Sequence, residues 1–288
     1  MRTINSRKNR AKLTAILFFC ALVVAVLFLN DRQKADASAQ GPSPSHTDAP
    51  NEDNCTSCHS DHTINSGGGG VLIAGVTPAY QPGQQMQITV TTSQTDAVIY
   101  GFQITAINQA GKTVGTFTIP QQNPPQIQTV FNIVNGQIRR YVEHTVDGIL
   151  PTQFGSKSWT FTWTAPNPVD GKIDFYAAGN SANSDGTTSG DYIYTSTTST
   201  TPAVSYSING RVFASDGARG LRNVSVVLTD SLGGTKSSTT SSFGFYSFSD
   251  VYAGQTYTLS VKSKLFRFSN RNVTISGDLT NFDFVGLE

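Results

Sequence analysis

From residue 71 onward, apolar residues recur in short runs with a two-residue period, and glycine, proline, serine or asparagine separates one run from the next. Positions 87–92 alternate, 98–107 form a longer run, 114–119 follow a turn at Gly111, 139–145 alternate again, and 158–164 interleave Trp159 and Trp163 with threonines. A period of two places successive side chains on opposite faces of a strand. Beyond the amino-terminal 40 residues no apolar period of three to four appears, which excludes a helical bundle or an α/β fold. Two packed sheets are needed to bury such faces, so 71–195 reads as a β-sandwich. A second set of alternating runs at 205–213, 224–228, 243–248, 257–261 and 282–285, with turns at Asp216-Gly217, Gly233-Gly234 and Gly254, predicts a compact seven-strand sandwich over 204–288. Between them, 196–203 is a serine and threonine stretch that reads as an extended, solvated linker.

Ahead of the strands the pattern is different. Residues 13–29 form an apolar run without charge behind a basic head of Arg2, Arg7, Lys8, Arg10 and Lys12, the layout of an export signal or a signal anchor. As a helix, 13–29 would span about 26 Å, just short of a comfortable bilayer crossing. Ala35-Asp-Ala37 and Ala37-Ser-Ala39 both offer small-x-small cleavage sites, so residues 1–39 are either removed or kept as a membrane anchor. Cys20 lies inside the run behind Phe18 and Phe19, where a lipoprotein site needs small residues, and reads as apolar filler. The basic head belongs in the cytoplasm and everything after residue 40 outside it, in the periplasm or at the cell surface. The 288 residues leave room for one to three domains, and the formal net charge of +1 gathers its basic groups around the apolar run. No sustained basic field remains to bind nucleic acid.

Residues 40–70 are polar, begin with Gly41-Pro-Ser-Pro44 and end in four glycines that read as a flexible hinge. They hold two of the three cysteines, in Cys55-Thr-Ser-Cys58-His59, the arrangement that attaches c-type haem. Two thiols at this spacing can form thioethers with the two haem vinyl groups, and the adjacent imidazole then serves as axial ligand to the iron. The expectation is one covalent haem c, with Cys55 and Cys58 as attachment sites and His59 on the iron. Asn51 or Asn54 could cap a short helix carrying them, with Glu52 and Asp53 at its positive end. Two other chemistries stay open: a disulfide between Cys55 and Cys58, and a zinc site drawing on Cys55, Cys58, His62 and His46. A second axial ligand has few candidates, His46, His62, His144 and Met86. His144 is favoured, because the alternation over 139–145 sets it on the same side as Val142 in a strand able to cover the haem. Asp170, Asp174, Asp185 and Asp191 lack the loop spacing of a calcium site, and Trp159, Trp163, Phe175, Tyr176, Tyr192 and Tyr194 alternate as core aromatics do rather than as a sugar platform. No Ser-His-Asp set, phosphate loop or spaced carboxylate pair stands out, so no enzymatic activity is expected.

Several stretches carry family resemblances. Gly101-Phe-Gln-Ile-Thr105, Tyr141-Val-Glu-His-Thr145, Trp159-Thr-Phe-Thr-Trp-Thr-Ala-Pro166, Phe175-Tyr-Ala-Ala-Gly-Asn180 and Gly190-Asp-Tyr-Ile-Tyr194 make 71–200 resemble a Reeler-type domain of the bacterial sort that follows a CxxCH segment. That resemblance implies an extracellular β-sandwich used as an accessory or adhesion module, associated in the bacterial form with haem attachment, and supplies no catalytic residues. Unlike animal Reeler domains, this chain has no cysteine after Cys58 and so no stabilising disulfide there. Gly210-Arg-Val212, Gly220-Leu221, Gly244-Phe-Tyr246 and Gly254-Gln-Thr-Tyr257 make 205–285 resemble a carboxypeptidase regulatory-like, transthyretin-like sandwich, a structural family without peptidase activity of its own.

The resulting expectation is an all-β chain: two tandem sandwiches preceded by an amino-terminal hydrophobic helix and a short haem-attachment segment. Its expected function is that of an exported, envelope-associated monohaem protein for electron transfer or redox and gas sensing. Its partners would be a redox protein or envelope component, and the membrane if the amino-terminal segment is retained. The alternative is a surface adhesion or ligand-binding protein, carbohydrate included, in which the C-x-x-C is a disulfide or metal clip.

Overall fold

A computed structural model describes residues 38–287, and over these the protein is nearly all-β. The apolar run at 13–29, its predicted helix and the Ala35-Asp-Ala37 site lie outside the described residues. Among the described residues no helix is long and apolar enough to cross a membrane. Ten strands come first: β1 (Gly70–Ala74), β2 (Ala79–Tyr80), β3 (Gln85–Ser93), β4 (Ile99–Asn108), β5 (Thr116–Thr118), β6 (Ile127–Val134), β7 (Gln137–His144), β8 (Ser156–Thr164), β9 (Ile173–Ala182) and β10 (Tyr192–Pro202). They form a four-stranded sheet in the order β1-β3-β8-β5 and a six-stranded sheet in the order β2-β10-β9-β4-β7-β6. Seven more follow: β11 (Ser205–Phe213), β12 (Ser225–Thr229), β13 (Thr235–Thr239), β14 (Phe245–Tyr252), β15 (Thr256–Lys262), β16 (Arg271–Thr274) and β17 (Phe284–Val285). These make sheets β14-β11-β17 and β13-β12-β15-β16.

The chain divides into two compact units. One takes in the described residues up to Val76 with Gln87–Trp163 and Asp174–Thr198; the other takes in Thr77–Met86, Thr164–Ile173 and the chain from Ser199 on. In the first unit the alternation seen in the sequence becomes the core. Phe102 stacks on Trp159 with ring centroids 4.4 Å apart, and Trp163 meets Phe175 edge-on at 5.0 Å. The indole N–H groups are satisfied on backbone, Trp159 donating to the Gly148 carbonyl at 2.8 Å and Trp163 to the Val114 carbonyl at 3.2 Å. Trp159, Trp163, Phe175 and Tyr194 are all buried, which leaves them no face for a sugar.

The second unit has its own core, centred on Ile208, Val212, Val226, Leu228, Phe248 and Leu259. Arg271 lies over the Phe282 ring at 3.7 Å. The stretch 196–203, read as a linker, is the second half of β10 instead. Its Thr200 is buried, and Thr201 and Pro202 pair in parallel with Ala79 and Tyr80. Threonine is β-branched and suits a pleated strand, so a composition that resembles a solvated linker here builds a strand.

Candidate functional site

The polar segment before β1 lies along the six-stranded sheet, held by side chains that alternate along β7. Arg139, Tyr141 and Glu143 point to it while Val142 points to the core. Arg139 Nη1 donates to Glu52 Oε1 at 2.7 Å, with both side chains almost wholly buried. The Tyr141 hydroxyl donates to the same oxygen at 2.6 Å, and Thr47 Oγ1 donates to Glu52 Oε2 at 2.6 Å. Gln103 accepts from the His46 backbone N–H at 2.9 Å and donates to the Ser43 carbonyl at 3.2 Å. The segment makes no core of its own, as its composition dictates, but Ala49 is buried in this layer.

Asn54 then caps a single 3-10 turn, Cys55–Ser57, its side chain accepting from the Thr56 N–H at 2.9 Å. The His59 N–H bonds the Cys55 carbonyl at 3.0 Å, which closes Cys55-Thr-Ser-Cys58-His59 into one compact loop. Beyond it Asp61 accepts from the Gly190 N–H at 3.0 Å, His62 stacks on Tyr192 with centroids 4.0 Å apart, and the Asn65 N–H bonds the Ile193 carbonyl at 2.8 Å. Two of the four glycines that read as a hinge, Gly67 and Gly69, are held in close approach. A Cβ at Gly67 would meet the Tyr194 hydroxyl at 1.9 Å and one at Gly69 the Ser93 carbonyl oxygen at 1.7 Å.

This course brings Cys55, Cys58 and His59 to the wall of a cavity of about 570 Å³, within the range of small-molecule sites. Ile99, Phe102, Ile149 and Ala182 give it apolar walls, and His144, His46, Asn180 and Asp191 give it polar ones. His59 Nδ1 lies 2.7 Å from Asp191 Oδ2, and that carboxylate is buried. Asp191 Oδ1 accepts from the Asn183 N–H at 3.2 Å, so both its oxygens are engaged. The Asn180 amide nitrogen lies 3.4 Å from each nitrogen of the His59 ring.

His144 sits across the cavity's β4 wall because β4 has a glycine there. A Cβ at Gly101 would meet the His144 ring at 2.6 Å, so only glycine leaves room for the imidazole. The His144 Nδ1 is 3.0 Å from the Phe102 N–H, and burial pushes its pKa down to about 4 against a small opposing pull from the Phe102 backbone. The ring is neutral at physiological pH. His46 also lines the cavity, and its Nδ1 faces two carbonyls, Ser43 at 2.8 Å and Pro44 at 3.3 Å, so that nitrogen carries the proton. The other two candidates lie elsewhere: His62 is stacked on Tyr192, and Met86 is buried, its sulfur 3.6 Å from Thr77 Oγ1.

Both thiols are free, with Cys55 half-buried and Cys58 exposed. Burial of its sulfur pushes the Cys55 thiol up to about 12, partly offset by a backbone hydrogen bond and reinforced by Cys58. Such a thiol is protonated at neutral pH and a poor metal ligand or exchange nucleophile. Among the described residues no group of three or more His, Cys, Asp or Glu side chains is arranged to hold a metal ion. The zinc set of Cys55, Cys58, His62 and His46 therefore does not converge, nor do the acidic turns. Sequence reasoning weighed Asp191 only as a calcium or turn carboxylate, and met Asn180 and Gly101 only inside stretches that carry a family resemblance. His59 and Asp191 lie far apart in sequence, and no local periodicity could have joined them.

Residues 54–181 match the family model of the Reeler domain. Residues 204–284 match a family described as BOS complex subunit NOMO1-like, second beta sandwich domain; the carboxypeptidase regulatory-like resemblance is only loosely matched. No curated protein matches the chain. Among solved structures, similarity extends to BcpA, the major pilin subunit of Bacillus cereus, at 13% identity and TM-score 0.40, covering 76% of this chain and 70% of that one. The major pilin SpaD of Corynebacterium diphtheriae aligns at 11% identity and TM-score 0.39, covering 76% and 67%. The human F-spondin reeler domain aligns at 16% identity and TM-score 0.31, covering 50% of this chain and 95% of that one.

Proposed function

We propose that this chain is an exported c-type haem protein in which Cys55 and Cys58 carry one haem through thioether bonds, His59 is its axial ligand, and the cavity on the sandwich shelters it. The observation that carries the reading is the convergence of Cys55, Cys58 and His59 on one apolar-walled cavity, with His59 Nδ1 engaged by the buried Asp191. That hydrogen bond occupies one imidazole nitrogen and leaves Nε2 for iron, the usual division of labour in a histidine ligand. The residues present fit the group in two further respects. The donors are the two thiols and one imidazole that covalent attachment uses, and Ile99, Phe102, Ile149 and Ala182 supply the dry cover a porphyrin needs.

Once bound, the haem would supply one-electron redox chemistry. The chain's own groups hold, orient and desolvate it, and no residue is assigned a proton-transfer or nucleophilic role. His144, neutral and enclosed against Gly101, is the second residue that would hold the iron. The partner would be a redox protein or another envelope component, with the membrane reached through the amino-terminal segment where it is retained. The Reeler match supports the coarser part of the reading, an extracellular or surface-exposed accessory or adhesion-type module. The competing reading, a surface adhesion or ligand-binding protein in which the C-x-x-C is a disulfide or metal clip, shares that coarser part; among the described residues no three His, Cys, Asp or Glu side chains gather for a metal clip.

The test is expression with the haem maturation machinery, followed by a pyridine haemochrome spectrum and mass spectrometry. The expected result is one haem on the peptide containing Cys55 and Cys58, abolished by Cys55→Ser with Cys58→Ser. A colourless wild-type protein with both thiols free or joined to each other would overturn the proposal.

A further inference from the structure

The haem reading uses Asp191 only as the hydrogen-bond partner of His59 Nδ1, which leaves its burial and charge unexplained. Its side chain is 1% exposed, and among the described residues no lysine or arginine pairs with it; its partner is the His59 ring, with Nδ1 at 2.7 Å. Burying a carboxylate is costly unless it is paired and hydrogen-bonded, so a sequence that retains one here gains through the histidine it faces. The second oxygen accepts from the Asn183 N–H, which fixes the carboxylate plane, and Asn180 flanks the ring at 3.4 Å. The imidazole is thereby held by the carboxylate at Nδ1, with the Asn180 amide beside the ring.

We infer that Asp191 is the positioning residue of the haem site: it fixes His59 in the tautomer protonated on Nδ1 and makes its Nε2 an electron-rich ligand that favours the oxidised iron. This deepens the haem reading and rests on it. A full negative charge accepting from Nδ1–H raises the basicity of the opposite nitrogen, more than a backbone carbonyl or water would. Second-shell hydrogen bonding and burial are two of the levers by which a protein sets haem potential, and Asp191 applies both to one atom. The centre would therefore be a low-potential one, suited to giving electrons to an acceptor more than to drawing them from a weak donor.

The test compares wild type with Asp191→Asn, the neutral side chain of equal size, and with Asp191→Ala, in the full chain. In haem-loaded protein the midpoint potential is read by spectroelectrochemistry, with covalent haem per chain and urea stability measured alongside. The expected result is haem retained in both variants and a shift of potential to more positive values in each. A role confined to packing would move stability and leave the potential in place, and potentials unchanged in both loaded variants overturn the inference while the haem reading stands. Nitrogen-15 NMR of the haem-free chain at alkaline pH gives a second readout. Wild-type His59 is expected to carry its proton on Nδ1, and Asp191→Ala to show a mixture of tautomers; a proton on Nε2 in the wild type overturns the inference. A wild-type chain that takes up no haem overturns the haem reading and, with it, the assignment of a potential to Asp191.

Discussion

At the scale of single residues, the site is a set of exchanges between space and charge. Gly101 gives up its side chain so that His144 can lie against β4, and burial keeps that ring neutral with a pKa of about 4 against an ordinary 6.5. The unfolded chain therefore takes up a proton on His144 before the folded one does as the pH falls. The stability tied to the neutral ring is complete above about pH 6.5 and is lost progressively down to about pH 4, where the folded ring protonates too, a swing of about 3 kcal/mol. Urea denaturation of the haem-free chain at pH 7 and pH 4 should show wild type losing about 3 kcal/mol more than His144→Gln, which has nothing to titrate at that position. Parallel losses in the two proteins would mean that His144 is not held neutral by its surroundings. The same residues mark what was legible. Cys55, Cys58 and His59 announce themselves through spacing alone, whereas Asp191 and Gly101 matter through neighbours far along the chain, and no local pattern encodes those.

At the scale of elements, alternation proved a sufficient guide wherever one face of a strand is buried, and an insufficient one elsewhere. The run at 205–213 became β11 with the same bounds, the run at 87–92 extended by a residue or two at each end into β3, and the run at 98–107 shifted by one residue into β4. The polar edge strand β13 carries no buried residue, and β10 hides behind threonines and serines, so neither showed an apolar period. The polar segment before β1 is anchored by charge, which composition does not reveal. Its composition gives no core, yet Glu52 anchors it by accepting from Arg139, Tyr141 and Thr47 at once. Arg139→Met would leave that carboxylate buried without its cation, at a cost of about 3–5 kcal/mol, and should open the segment 40–66 to limited proteolysis. Adding Glu52→Gln removes the stranded charge and should restore about half of the lost stability, its amide oxygen still accepting from Tyr141 and its amide nitrogen donating to the Thr47 hydroxyl. Urea midpoints of the single and double variants decide it, and a double variant no more stable than Arg139→Met would show that the pair acts through packing and not through charge.

At the scale of the whole molecule, the described residues that line the cavity come from the amino-terminal segment, β4, β9, the end of β7 and the loops beside them, and none comes from the chain after β10. The second sandwich can be considered as a body of its own. Its buried apolar cluster is drawn wholly from residues between Ile208 and Phe284, although Thr77–Met86 and Thr164–Ile173 belong to the same compact unit. Both sheets of that sandwich, three strands and four, are likewise built from β11 to β17 alone. A fragment of this length can bury enough apolar surface to be stable without disulfides, since domains of about 55–65 residues already manage it. Residues 204–288 expressed alone should thus unfold in urea in one cooperative transition with a dispersed NMR spectrum. A fragment that stays unfolded would mean that the core, self-contained as it is in apolar contacts, depends on backbone pairing supplied by the earlier segments.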